Sequence, residues 1–261
     1  MPTLAFLDTL PLWLLFLATA ALLVAGNALG FRLGSWQRAR RADDDKAPTN
    51  AIMGSTLGLL AFILAFTFGM SHTRFDTRRT LVLDESSAIL RAYQRAQFLP
   101  EPQRTECTRL LREYVDLRVN LAGLKDMEAA RAAVRRSELI QDELRDQARI
   151  LAEHPNAVLS IFMQSLSELT DLQMKRVRAA VWNRIPPTIE VMLYVLAFMG
   201  LLTMGYNAGL SGTRPMLPTL VLALAFSAII VLIIDLERPN QTLFEVSQEP
   251  MRAVQARMQG D

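Results

Sequence analysis

Carboxylates and arginines are the side chains most able to do chemistry in this chain of 261 residues, and their spacing limits what they could do. Glu168 and Asp171 stand three apart, on one face of a helix, where they could act as an acid and base pair or as half of a metal site. Lys175, four residues beyond Asp171, favours the plainer reading of a solvated, ion-paired face. Cys107 is the single cysteine, which excludes an internal disulfide and a cysteine-based zinc cage. His72 and His154 are too far apart in sequence to suggest a histidine-rich metal site, and His72 is either a pH sensor or an inert interfacial residue. The sequence has no glycine-rich phosphate loop, nucleophile elbow, HExxH or dinucleotide fingerprint. The expectation is a protein that is not an enzyme and needs neither metal nor cofactor.

A second group of ionisable residues follows an apolar stretch: Asp76, Asp84 and Glu85 among Arg74, Arg78 and Arg79. Pairing at i+3 and i+4 would hold this helix together. If the helix instead lined a pore, its arginines would favour anions and its carboxylates cations. Glu190, Asp235 and Glu237 are the acids nearest to apolar stretches, and each lies within about a turn of a boundary where it can reach water.

Positioning these groups requires elements built for lipid. The composition is 51% hydrophobic and 21% charged, with mean hydropathy +0.20, so apolar and ionic blocks must be segregated along the chain. A net charge of +2 argues against a nucleic-acid partner. Leu10 to Phe31 has the roughly 20 apolar residues needed to cross a bilayer and no ionisable side chain. It exceeds the apolar core of a signal peptide and lacks a basic start, so it is expected to remain uncleaved. Ala51 to Met70 is also uncharged, and its Gly54, Ser55, Thr56, Gly58 and Thr67 suggest close packing against protein. Two more spans, about Pro187 to Leu210 and Met216 to Ile234, are joined by Ser211, Gly212 and Pro215 in a tight reversal. Pro186 and Pro187 preset the first of them.

Between spans two and three, Ser71 to Arg184 reads as entirely helical, with breaks at Leu99 to Pro102, at Gly123 and at His154 to Asn156. Apolar stripes that also contain Arg118 and Arg176 run along Leu110 to Leu121 and Ala157 to Arg184. The expected fold is all-α and integral to the membrane, with four spans per subunit and a helical extramembrane region. The divisions are 1–70 (first span pair with a basic connecting loop), 71–184 (helical domain), 185–239 (second span pair) and 240–261 (tail).

Sidedness follows from Lys and Arg near the span ends. Arg74, Arg78, Arg79, Lys175, Arg176, Arg178 and Arg184 share a side with Arg238, Arg252 and Arg257. Arg32, Arg38, Arg40, Arg41, Lys46 and Arg214 lie opposite. Ten against six puts both termini and the helical domain in the cytoplasm.

From Arg74 to Pro100 the chain reads RFDTRRTLVLDESSAILRAYQRAQFLP, followed by NRIPP at Asn183 to Pro187, YNAGLSGTRP at Tyr206 to Pro215 and DLERPNQTLFEVSQEPM at Asp235 to Met251. This ordered series closely resembles the bestrophin-like domain family of bacterial membrane proteins, over nearly the whole chain after about Gly54. The family is named for a distant likeness to bestrophin anion channels. The resemblance implies a homo-oligomer, pentameric as in bestrophins, in the bacterial inner membrane, with lipid, copies of itself and inorganic ions as partners. In bestrophins, apolar side chains at i, i+4 and i+8 on the second span ring a narrow neck. Phe62, Phe66 and Met70 have that spacing here, so the resemblance makes them pore-lining or gate residues of an ion channel, with anions favoured. Taken alone, Phe62 and Phe66 could equally face lipid or a neighbouring helix, and Leu60 is expected to face lipid. Thr67, Arg74, Asp76, Arg78, Arg79 and Glu85 are candidates for a polar pore lining or for pairing. The acidic cluster after the last span of calcium-gated bestrophins is replaced by well-spaced Asp235, Glu237, Glu245 and Glu249 mixed with Arg238, which departs from calcium gating. The alternative function is a non-conducting scaffold or sensor whose helical domain binds a partner protein.

Overall fold

Eight helices carry almost all of the residues described by the computed structural model, namely 10–40, 47–121, 126–152, 157–181, 186–238 and 246–260. They are α1 (Leu12–Arg40), α2 (Ala47–Ala96), α3 (Gln103–Leu121), α4 (Met127–Leu151), α5 (Ala157–Val181), α6 (Pro187–Ser211), α7 (Met216–Glu237) and α8 (Glu249–Gly260). Arg41, Lys46, Gly123, His154, Arg184 and Glu245, on which several expectations rest, lie outside the described residues. Four helices, α1, α2, α6 and α7, are long and apolar enough to cross a membrane, and the protein is an all-α membrane protein. The chain forms two compact units, Met1–Thr73 with Arg184–Phe244, and Arg74–Asn183 with Glu245–Asp261.

In the first unit α1 packs along α6 and also meets α7. Gly26, Gly30 and Gly34 recur every four residues on α1, facing Gly205 and Gly209 on α6. A methyl group on Gly30 would collide with the carbonyl of Leu202, and one on Gly205 with that of Asn27, so the two backbones touch. Lipid supplies no hydrophobic drive between spans, and such contact replaces it with dispersion and polar bonds. Asn27 accordingly donates to the Leu201 carbonyl at 3.1 Å, and Tyr206 donates to Gln37 at 2.7 Å. On the second span the small residues make no such contact within the chain: Gly54 and Gly58 have nothing of their own chain within 4 Å of an added methyl, and α2 packs through Leu60 and Leu64 instead. Leu60, expected to face lipid, is fully buried in a core with Leu64, Leu193, Ala197 and Leu201.

Helix α1 also runs nine residues past Phe31, through residues expected in a loop. Packing explains the extension, because Gly34 still lies against the Tyr206 carbonyl and Arg, Leu and Gln favour helix. Exposed Trp13 and Trp36 are 23 residues apart on α1, about 35 Å of helix, the separation of two interfacial belts. Gly212, at φ 72°, ends α6 in the left-handed conformation and bonds back to the Gly209 carbonyl.

In the second unit α3 packs against α4 and α8, and α4 against α5. The core joins Ile89 and Tyr93 of α2, Leu111 of α3, Leu144 of α4, Phe162 and Leu169 of α5, and Met251 and Met258 of α8. Asp126 caps α4 by accepting from Glu128 and Ala129. Arg112 donates to the Met258 carbonyl at 2.8 Å, satisfying an end group of α8.

Candidate functional site

Helix α2 presents two chemically different sides. Within the apolar stretch, Leu60, Leu64 and Thr67 are buried, and the Thr67 hydroxyl is used up on the Ile63 carbonyl at 2.8 Å. The other side carries Phe62 and Phe66, which are 68% and 63% exposed on the single chain, with Met70 half-buried beside them. Further along, Asp76, Arg79 and Asp84 are exposed, and none of the three forms an ion pair among the described residues. Arg74 and Arg78 are half-buried.

Glu85 stands apart from these residues. Its nearest arginines in sequence are Arg74, Arg78 and Arg79, but its partners come from α3 and α5. Arg118 Nε lies 2.8 Å from Glu85 Oε1, and Arg176 Nη1 donates to Oε2 at 2.5 Å. Tyr114 donates its hydroxyl to Oε1 at 2.9 Å, and Arg176 reaches Gln248 at 3.1 Å. Gln141 donates to Gln173 and accepts from Thr170 at 3.0 Å, extending the polar network into α4. Glu85 and Arg118 are no more than 1% exposed and Arg176 is 15% exposed. Burial works to raise the Glu85 pKa, but Arg118 and Arg176 together overrule it and hold the carboxyl below its ordinary value. Burial first, and then the Glu85 charge, push the Tyr114 hydroxyl up.

In the sequence Tyr114, Arg118 and Arg176 lie on apolar helix faces with no sign of their partner. An arginine on such a face is a usable signal, since it must bring a counter-charge with it. Which acid answers is decided by helix packing.

The acids Glu168 and Asp171 line a groove of about 310 Å³ with Asp84, Arg91 and Lys175. Arg91 ties up Glu168 at 2.5 Å, so no acid and base pair stands ready. Among the described residues no cluster of three or more potential ligands could hold a metal. Cys107 is buried, and burial followed by the Glu106 charge pushes its thiol up to about 12, so it is no nucleophile.

The fold has close counterparts among solved structures. A tryptophan-to-alanine variant of a bacterial bestrophin homologue from Klebsiella pneumoniae is 15% identical, covers 94% of this chain and 94% of its own, and has a TM-score of 0.68. A leucine-to-threonine variant of a bacterial bestrophin homologue from Klebsiella pneumoniae gives 14%, 95%, 96% and 0.65. A further structure of such a homologue, phased on zinc, gives 14%, 95%, 96% and 0.63. At this identity the likeness shows the fold alone. A comparison with curated protein sequences found no match. The family model of the bestrophin-like domain matches residues 12–251, which takes in all four apolar spans and the helical region between them. The chain belongs to the bestrophin-like domain family.

Proposed function

We propose that the chain is one subunit of a closed homo-oligomeric ion channel whose path runs along the exposed side of α2. The observation that carries this reading is the exposure of Phe62 and Phe66 on a helix whose opposite side, Leu60 and Leu64, is packed within the subunit. Gly54, Gly58 and Gly69 also have open space beside them, leaving room for a neighbouring copy. Rings of phenylalanine, one per subunit, exclude water when narrow and pass ions when wider. Met70 continues the row at its end, where the apolar stretch gives way to polar residues. The pentamer and the preference for anions come from the resemblance to bestrophins, as does an inner-membrane setting. Which charge passes depends on the ionisable groups that follow Met70 on the same helix. Lipid, inorganic ions and copies of the chain are the partners in this reading, without nucleic acid, cofactor or enzymatic activity.

Purified protein reconstituted in vesicles should show ion flux that rises in Phe66→Ala. Leu217→Ala, at an exposed position on α7, should change it little. Leu60 cannot serve as the control because it is a core residue. Oligomer mass is measured on the same samples, since a phenylalanine packed between helices loses about 3–5 kcal/mol on truncation. An intact assembly that passes no chloride, nitrate, sodium or potassium, as wild type or as Phe66→Ala, would replace the channel with the scaffold. A monomer in mild detergents and in lipid discs would remove both ring and pore.

A further inference from the structure

We infer that the buried cluster around Glu85 is a binding site for one small monovalent anion of the chloride class, held on Arg118. The site lies wholly within the second unit and stands whether or not the chain conducts ions. Charge balance comes first. Among the described residues Glu85 is the one carboxylate within ion-pair distance of either Arg118 or Arg176. The other groups bonded into the cluster, Tyr114, Gln141, Thr170, Gln173 and Gln248, are neutral. Two guanidiniums against one carboxylate leave a surplus of one positive charge, and an arginine in a protein does not shed its proton to remove it. Burying an uncompensated charge is expensive, so the surplus calls for a negative partner.

Geometry supplies the donor. Arg118 meets Glu85 side-on: Nε lies 2.8 Å from Oε1, and Nη2 donates to Oε2 at 3.0 Å. In the planar fork of a guanidinium the remaining nitrogen, Nη1, then points away from the carboxylate. Nη1 is buried, on a side chain 1% exposed, and has no hydrogen-bond partner among the described residues. A water would accept a hydrogen bond from Nη1 but brings no charge. A small monovalent anion supplies an acceptor and the missing charge together, whereas a divalent oxyanion would turn the surplus negative. Arg176 feels the same imbalance: burial first, and then the Arg118 charge, push its pKa below the ordinary value in spite of Glu85. At 15% exposed, Arg176 is also the member of the charged trio that touches solvent.

The test is thermal melting of the detergent-solubilised full chain, followed by circular dichroism as chloride replaces gluconate at constant ionic strength. A ligand bound only by the folded state raises the melting temperature with its concentration once its dissociation constant is passed. Wild type should show this rise with chloride and with bromide. Arg118→Met removes the donor and the surplus charge, while Arg176→Gln removes the surplus and keeps Nη1. Each should weaken the apparent affinity for chloride about tenfold or more. Crystals of the wild type soaked in bromide should show an anomalous peak within hydrogen-bond distance of Arg118 Nη1, and this position decides the matter if either variant fails to fold. A wild type that melts alike in chloride and gluconate, a chloride response undiminished in Arg176→Gln, or a water beside Nη1 in the bromide crystals overturns the inference. Ion flux in vesicles bears on the channel and not on this site.

Discussion

Glu85 sits fully buried between two guanidiniums, so its contribution to stability depends on the whole set. Removing the carboxylate would leave Arg118 and Arg176 buried against each other, which costs far more than the ion pairs are worth against an apolar replacement. Glu85→Ala should therefore destabilise the second unit by about 3–5 kcal/mol. Adding Arg118→Met to Glu85→Ala should recover part of that loss. Thermal unfolding of the detergent-solubilised protein, followed by circular dichroism, separates these outcomes, and equal melting of Glu85→Ala and wild type would refute the account. The pH dependence has a definite sign. A carboxyl whose folded pKa lies below its unfolded value contributes stability above the unfolded value and loses it as pH falls through the folded one. With an ordinary value of 4.5, the cluster should be unaffected between pH 7 and pH 5 and should weaken only below about 4.5. Loss of its contribution above pH 5 would mean that the arginines do not hold Glu85 ionised.

Among the helices, α1 and α6 depend on contact between bare backbones, which yields a sharp contrast among glycines of the same unit. Gly30→Leu drives a side chain into the Leu202 carbonyl and should cost about 1–3 kcal/mol or more. Gly54→Ala adds a methyl to open space and should leave the unit intact. Retention of the size-exclusion peak after heating distinguishes them, and equal heat tolerance would count against the α1–α6 contact. The four spans, the helical region and the breaks around Pro100 and Pro186 could be read from the chain, because apolar length and proline act locally. The pairing glycines were harder to assign, since Gly26, Gly30 and Gly34 on α1 have the same small-residue character as Gly54 and Gly58 on α2. Only the packed structure shows which set meets a neighbour in the same chain. Leu60 was misplaced for the same reason: an all-apolar helix carries no polar face to mark its outward side. Phe62 and Phe66 stand out only through the resemblance to bestrophins, since their spacing alone suits a lipid-facing row equally well, and the structure adds that they are not packed within the subunit.

For the molecule as a whole, sidedness decides which compartment the helical unit serves. The positive-inside count of ten Lys and Arg against six favours a cytoplasmic helical unit, but the structure changes the weight of individual residues. Arg176 is neutralised by Glu85 in a core and is a poor witness to orientation. On the opposite side Arg38 and Arg40 belong to α1 itself, at most nine residues, about 13 Å, past the apolar stretch, where basic residues still count. Discounting Arg176 leaves nine against six, so the direction survives with a smaller margin. A cysteine at Ala42, in the segment joining α1 and α2, should react with an impermeant thiol reagent applied to intact cells. Cys107 can stay in place for this experiment, because it is buried and its thiol is pushed up to about 12. The parent protein is then the blank, and the core is spared the hydroxyl that Cys107→Ser would bury. Labelling of the Ala42 variant before lysis, with none on the parent, places the helical unit and both termini in the cytoplasm. Labelling only after lysis would put them outside.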